Sequence, residues 1–204
     1  MHPDLKKIPE HMKEVGLGLL SQAQVNTFFW RYENRLDAGI FGVIQTAHAA
    51  EILIKAAIAE QHPLLIFSQL PKSGNVDGDL LDFESLFESG RTLEYNELPE
   101  RLWATTGYKI KELADFNSFG KLRNGIQHFA VPDSNLSEIT GQYIYKIIDP
   151  ILEHFWSLFA VEYCDDEEPE YNLLPILVNR GINFRYPEKW QEYVDEAKET
   201  STRK

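Results

Sequence analysis

Six consecutive residues, Arg123-Asn124-Gly125-Ile126-Gln127-His128, carry the side chains best suited to act together on a phosphate. An imidazole gives or takes a proton near neutral pH. A guanidinium keeps its charge and presents a planar fork of donors that matches phosphate oxygens. Asn124 can orient the imidazole or donate to a phosphate oxygen. These groups suffice for RNA cleavage without a metal. Histidine removes the proton of a ribose 2′-OH, the oxygen attacks the adjacent phosphorus, and arginine stabilises the added charge. The products would be a 2′,3′-cyclic phosphate and a 5′-hydroxyl, and DNA would be immune for want of the nucleophile.

Spacing constrains how such a site can be built. Five residues on an ideal helix place Arg123 and His128 about 140° apart around the axis and about 7.5 Å along it. Asn124 and His128, at i and i+4, share a face. Two such helices meeting antiparallel across a two-fold axis would let both sets line one groove. Gly125 suits close approach, because it lacks a Cβ, although a mid-helix glycine costs about 0.5–1 kcal/mol relative to alanine. The same residues also fit a boundary histidine satisfied by a backbone carbonyl, an arginine in a surface ion pair, and a glycine that merely loosens the helix end.

The elements that must position these residues read as helices. Val43–Glu60 is rich in Ala, Leu, Ile, Glu and Lys and holds no Pro or Gly. Within it Glu51 and Lys55 form an i,i+4 pair in the favourable order, worth about 0.2–0.5 kcal/mol if exposed. His48 could approach a cleft or be a packed, hydrogen-bonded core residue. A helix over Leu19–Leu36 precedes it, with Gly39 and Gly42 between, and Gly42 could let two helices approach closely. Tyr108–Phe129 reads as helical in two parts, bent near 117–120, with Leu113, Phe116, Phe119, Leu122 and Ile126 facing a core. Asn135 and Glu138 suggest a capping box for the next helix. That helix carries Ile139, Tyr143, Ile147, Ile151, Phe155 and Phe159 at four-residue steps and should kink at Pro150. Shorter helices are expected around 83–88, from Pro99 through Trp103 and around 188–197. LLIF at 64–67 fits either a strand or a buried helix, and 71–79 is a turn-rich loop.

Other motifs are weak. HAAE at 48–51 lacks the second histidine of a zinc-protease helix, and no phosphate-cradling GK[ST] loop is present. Asp77 and Asp79 lack the spacing and closing Glu of a calcium loop. The tryptophans Trp30, Trp103, Trp156 and Trp190 are scattered as packing residues would be. No metal site or cofactor is expected.

The 204 residues, 43% hydrophobic and 12% aromatic, suffice for a real core. A single cysteine, Cys164, excludes an intrachain disulfide and points to a reducing compartment. With no run of 18 uninterrupted apolar residues and no apolar leader after the first lysines, no membrane partner is expected and the location is expected to be cytoplasmic. The net charge of −12 argues against indiscriminate coating of nucleic acid. Six acids crowd 162–170, read as a solvated linker, whereas 108–132 holds Lys109, Lys111, Lys121 and Arg123 against Glu112 and Asp115.

The run RNGIQH followed by Phe129, with HAAEILIKAAIAEQHP upstream, resembles the HEPN superfamily (higher eukaryotes and prokaryotes nucleotide-binding domains). Glu51 and Lys55 match an acid-and-lysine pattern on an early helix of that family, and the order of elements agrees over about residues 20–160. The resemblance implies an all-α, irregular four- to five-helix bundle that dimerises to form a composite ribonuclease site. Arg123 would bind phosphate, His128 would be the acid/base or transition-state contact, and Asn124 the polar member between them. Glu51 and Lys55 would border or stabilise the cleft, with His48, Gln127 and Lys121 as further cleft candidates. The function so implied is that of a metal-independent endoribonuclease, a toxin of a toxin–antitoxin pair or an antiviral-defence effector. The alternative is a catalytically silent HEPN-like protein that binds a partner protein or a nucleotide. Expected partners are RNA, a second copy of the chain and an antitoxin or regulatory protein. Three stretches are expected: a flexible arm at 1–18, the helical domain at 19–161, and an acidic linker with a peripheral C-terminal extension at 162–204.

Overall fold

A computed structural model describes residues 1–29, 35–72, 80–129, 135–166 and 168–202, with the backbone alone at 35–37. The chain is all-α, of the helical-bundle kind, with one two-stranded sheet among the described residues. In order come α1 (Ile8–Phe28), α2 (Arg35–Gln61), β1 (Phe67–Gln69), α3 (Phe83–Ser89), β2 (Arg91–Thr92), α4 (Leu98–Thr106), α5 (Leu113–His128), α6 (Leu136–Tyr143), α7 (Asp149–Trp156), α8 (Pro169–Asn179) and α9 (Gln191–Thr202). The chain divides into two compact units, one of residues 1–16 and 51–111, the other of 17–50 and 112–204.

In the first unit, Leu5, Leu53, Ile54, Ile58, Leu86, Leu98 and Leu102 are buried. The expected arm at 1–18 is instead a 3₁₀ turn (Pro3–Lys7) followed by α1, with Leu5 buried. Pro9 falls in the first turn of α1, where its missing N–H has no intrahelical partner to lose, so it does not interrupt the helix. Leu53 packs so tightly on Gly16 that a Cβ there would lie 2.7 Å from the leucine Cγ. LLIF resolves into a 3₁₀ turn (Pro63–Ile66) leading to β1, which pairs antiparallel with β2. Pro99 starts α4 as expected, and Gly107, at φ +80°, ends it in the left-handed conformation. Of the loop expected at 71–79, residues 73–79, including Asp77 and Asp79, lie outside the described residues, as do Trp30, Tyr32 and Pro132.

In the second unit, Gly39 and Gly42 lie inside α2, and a Cβ on Gly42 would meet Thr27 Oγ1 at 3.1 Å, the close approach that its sequence position suggested. Helix α5 is a single helix rather than two, starting at Leu113 and running through Asn117–Gly120 without a break. Gly120 is buried there, and a helix backbone tolerates glycine where packing holds it. Phe116 and Phe119 are buried, and the Phe119 ring stacks on Tyr143 with centroids 3.9 Å apart. Leu113, expected on the same stripe, is 40% exposed at the helix start.

The long closing helix is α6 and α7 joined by a π-helical turn at Ile144–Ile148, just before Pro150. A proline removes one backbone donor, and the wide turn accommodates that loss. Four-residue steps drift by about 40° each on an ideal helix. Hence Ile139, at the head of the series, is exposed while Tyr143, Ile147 and Ile151 are buried. Asn135 is the N-cap of α6, but its amide binds the Glu138 carboxylate rather than a backbone N–H. The C-terminal stretch, expected as a peripheral extension, contributes Leu173, Leu174, Leu177 and Val194 to the buried set of this unit.

Two buried polar groups fasten that stretch. Gln24 donates through Nε2 to the carbonyls of Ala160 and Tyr163, both at 2.9 Å, and accepts from the Tyr145 hydroxyl at 2.5 Å. Asp149, fully buried, accepts from the backbone N–H of Ala160 at 2.9 Å and of Arg185 at 3.1 Å. Burial raises its pKa above the ordinary carboxylate value, against the pull of those donors and of the Arg185 guanidinium.

By length and composition alone Ala38–Gln61 could cross a membrane, a test that core helices also pass, and 61% of its most apolar window is buried within the protein.

Candidate functional site

Helix α5 is unusually bare for a helix of 16 residues: Phe116, Phe119 and Gly120 are its buried residues. They define one side, and the helical period assigns every other side chain to a place relative to it. Arg123 falls at the centre of that packed side and is half-buried. Asn117, Lys121, Asn124 and His128, at i, i+4, i+7 and i+11, form a stripe about 120° round the helix axis from it, and all four are exposed. The stripe carries a cation, two amides and an imidazole, and no acid. Asp115 lies off it and is engaged by Lys146 at 3.4 Å.

Within one chain, then, the guanidinium and the imidazole occupy different flanks of α5, as their five-residue spacing required. The Arg123 guanidinium donates through Nη1 to Gln127 Oε1 at 3.2 Å, one turn on. Gln127 therefore acts on Arg123 directly. His128 is the last residue of the helix. The N–H of Phe129 closes the final turn on the carbonyl of Gly125 at 2.8 Å, and the chain then leaves in an extended conformation. The Phe129 ring is 78% exposed, directly beside the imidazole in sequence. In the sequence Phe129 is only the residue after the motif, and its place at the helix end emerges with the helix boundary. A Cβ on Gly125 would meet nothing within 4 Å, so no packing among the described residues requires glycine there.

The other candidates fall elsewhere. His48, read as either a cleft residue or a packed core histidine, is exposed on α2, which removes the core reading. The apolar side of that helix is formed by Val43, Ala47, Ala50 and Ile54, which leaves position 48 facing solvent. Glu51 and Lys55 belong to the first unit. Lys55 Nζ lies 2.7 Å from Glu51 Oε1 and donates to Thr92 Oγ1 at 3.3 Å. The lysine side chain is only 5% exposed and that of Glu51 23%, so the pair is an internal strut rather than a surface helix pair. Thr92 was not anticipated, because it comes from a strand 37 residues away.

Among the described residues no group of three His, Cys, Asp or Glu is placed to hold a metal ion. Cys164 is buried, and desolvation together with Asp166 and Asp165 pushes its thiol up to about 12, so it is no nucleophile. The site that remains can offer protons, hydrogen-bond donors and positive charge from one helix. In comparisons with protein-family models, with curated proteins and with solved structures, nothing matches this chain.

Proposed function

We propose that the chain is a HEPN-type endoribonuclease that cleaves RNA through α5, without a metal, and acts as a toxin or defence effector. One observation carries the reading: His128 ends α5 exposed to solvent, in line with Asn124 and Lys121 on an acid-free stripe, with Arg123 on the adjoining flank. In the reaction His128 takes the proton of the ribose 2′-OH as that oxygen attacks phosphorus. The bond from phosphorus to the 5′-oxygen breaks, and the leaving oxygen takes a proton from an imidazolium. Arginine supplies the charge for the phosphorane. Because Arg123 and His128 diverge on one helix, the complete set comes from two α5 helices of a homodimer related by a two-fold axis. The exposed Phe129 ring beside His128 offers a face on which a neighbouring base can stack.

The test is cleavage of a mixed RNA pool in EDTA with the ends analysed. Cyclic-phosphate ends, with cutting lost in Arg123→Ala and His128→Ala, support the assignment. Undiminished cutting by both variants rejects it.

The half-buried setting of Arg123 and its bond to Gln127 favour a second reading, in which the arginine braces the helix and α5 binds a partner protein or nucleotide without catalysis. RNA left intact by wild type that has been stripped of any co-purifying protein selects that reading.

A further inference from the structure

Helix α3 carries an aromatic face that the other described residues leave open. Phe83 and Phe87, one turn apart, are 53% and 80% exposed, with rings stacked at 6.4 Å and 19° between planes; Leu80 just before them is 53% exposed. Exposed apolar groups occur singly on any surface, but a stacked aromatic pair on one helix face is a patch. The helix is held firmly from its other side. Leu86 is 2% exposed, Asp82 Oδ1 caps the start by accepting from Ser85 N at 2.8 Å, and the end is closed by Gly90 N–H on the Leu86 carbonyl at 2.9 Å. A Cβ on Gly90 would lie 2.9 Å from Phe67 Cε1, so the helix end is seated tightly against β1. The aromatic face is therefore presented by a fixed element.

Charge decides what it fits. Residues 80–90, LLDFESLFESG, contain Asp82, Glu84 and Glu88 and no Lys, Arg or His. Glu84 and Glu88, both exposed, run one turn apart beside the phenylalanine pair, so an acidic stripe flanks the apolar one. A second copy of this face, or an anionic lipid surface, would set like charges against it. We propose that α3 is a docking face for a basic amphipathic helix of a partner protein, whose apolar side covers Phe83, Phe87 and Leu80 and whose lysines or arginines meet Glu84 and Glu88. This face works independently of the α5 site.

The test uses an 18-residue amphipathic helical peptide of leucine and lysine, labelled and titrated by fluorescence anisotropy at 150 mM salt. Four variants of the full chain are compared with wild type after circular dichroism shows each to be folded. Micromolar binding is expected, weakened at least tenfold by Phe87→Ser and further by Phe83→Ser with Phe87→Ser. The pair Glu84→Lys with Glu88→Lys should weaken it about tenfold more than Glu192→Lys with Glu196→Lys, which makes the same change in net charge on the exposed side of α9. Three outcomes overturn the proposal: no binding by wild type, equal binding by the Phe87→Ser variant, or equal losses in the two charge-reversed variants. A concentration-dependent dimer in sedimentation, abolished by Phe87→Ser, overturns it as well and assigns the face to a second copy.

Discussion

The ammonium of Lys55 reaches one turn back along α2 to lie 2.7 Å from the Glu51 carboxylate while the lysine side chain is all but sealed from solvent. A lysine so enclosed depends on its acceptors, because an unpaired buried charge is costly. Thr92 Oγ1 is the second acceptor and ties the pair to β2. Replacing Glu51 with glutamine leaves the shape but weakens the acceptor. The expected loss is about 1–3 kcal/mol of stability, below the full value for a buried pair because Glu51 is partly exposed. Urea unfolding of Glu51→Gln checks it, and a change within 0.5 kcal/mol or so, typical of a surface site, would assign the pair to the surface class.

His128 is exposed, so His128→Ala should leave the melting curve nearly unchanged while RNA cleavage falls by about 10²–10⁴, the range for loss of a general acid or base. Arg123→Lys distinguishes charge from geometry: lysine keeps the charge but loses the planar fork, so activity should stay well below wild type. Full activity in the lysine variant would reduce the role of Arg123 to a point charge.

Gly125 separates the needs of one chain from those of a pair. A Cβ there meets open space among the described residues, so Gly125→Ala should stabilise the folded monomer by about 0.5–1 kcal/mol through helix propensity. If two α5 helices pass closely at Gly125, the same substitution weakens self-association and cleavage. Thermal melts and sedimentation on one sample read both effects. A variant more stable and equally dimeric would show that the helices do not meet at that residue.

Asp149 should make stability depend on acid in an unusual direction. Its pKa is raised in the folded state above the ordinary 3.8, so the folded chain holds this proton more tightly than the unfolded chain does. The resulting contribution is fully present below 3.8 and is lost as the pH rises through the raised value. Wild type should therefore gain stability relative to Asp149→Asn as the pH is lowered from neutrality toward 4. At pH 7 the asparagine variant should be weaker by about 1–3 kcal/mol, since its amide can set a donor against the N–H groups of Ala160 and Arg185. Urea midpoints at the two pH values give the comparison, and a difference that shrinks on acidification contradicts the sign.

Much of the fold was legible because helices are written locally. Period, propensity and the punctuation by Pro99 and Gly90 placed many of the helices, although the bounds of α1 at Ile8 and Phe28, the start of α2 at Arg35, the whole of α8 and the unbroken course of α5 through Gly120 did not follow from them. The angular divergence of Arg123 and His128 needed nothing beyond their spacing. Burial was another matter. The enclosed Lys55 meets Thr92 from a distant strand, His48 is bare because none of the described residues covers that side of α2, and Leu173, Leu174 and Leu177 are core in a unit whose distant segments Asp149 and Gln24 hold together. The sequence by itself determined which residues could turn into helices and which side chains would share a face. Only the tertiary structure decided which faces were covered, since that depends on surfaces brought together from residues far apart along the chain, and no local pattern records their meeting.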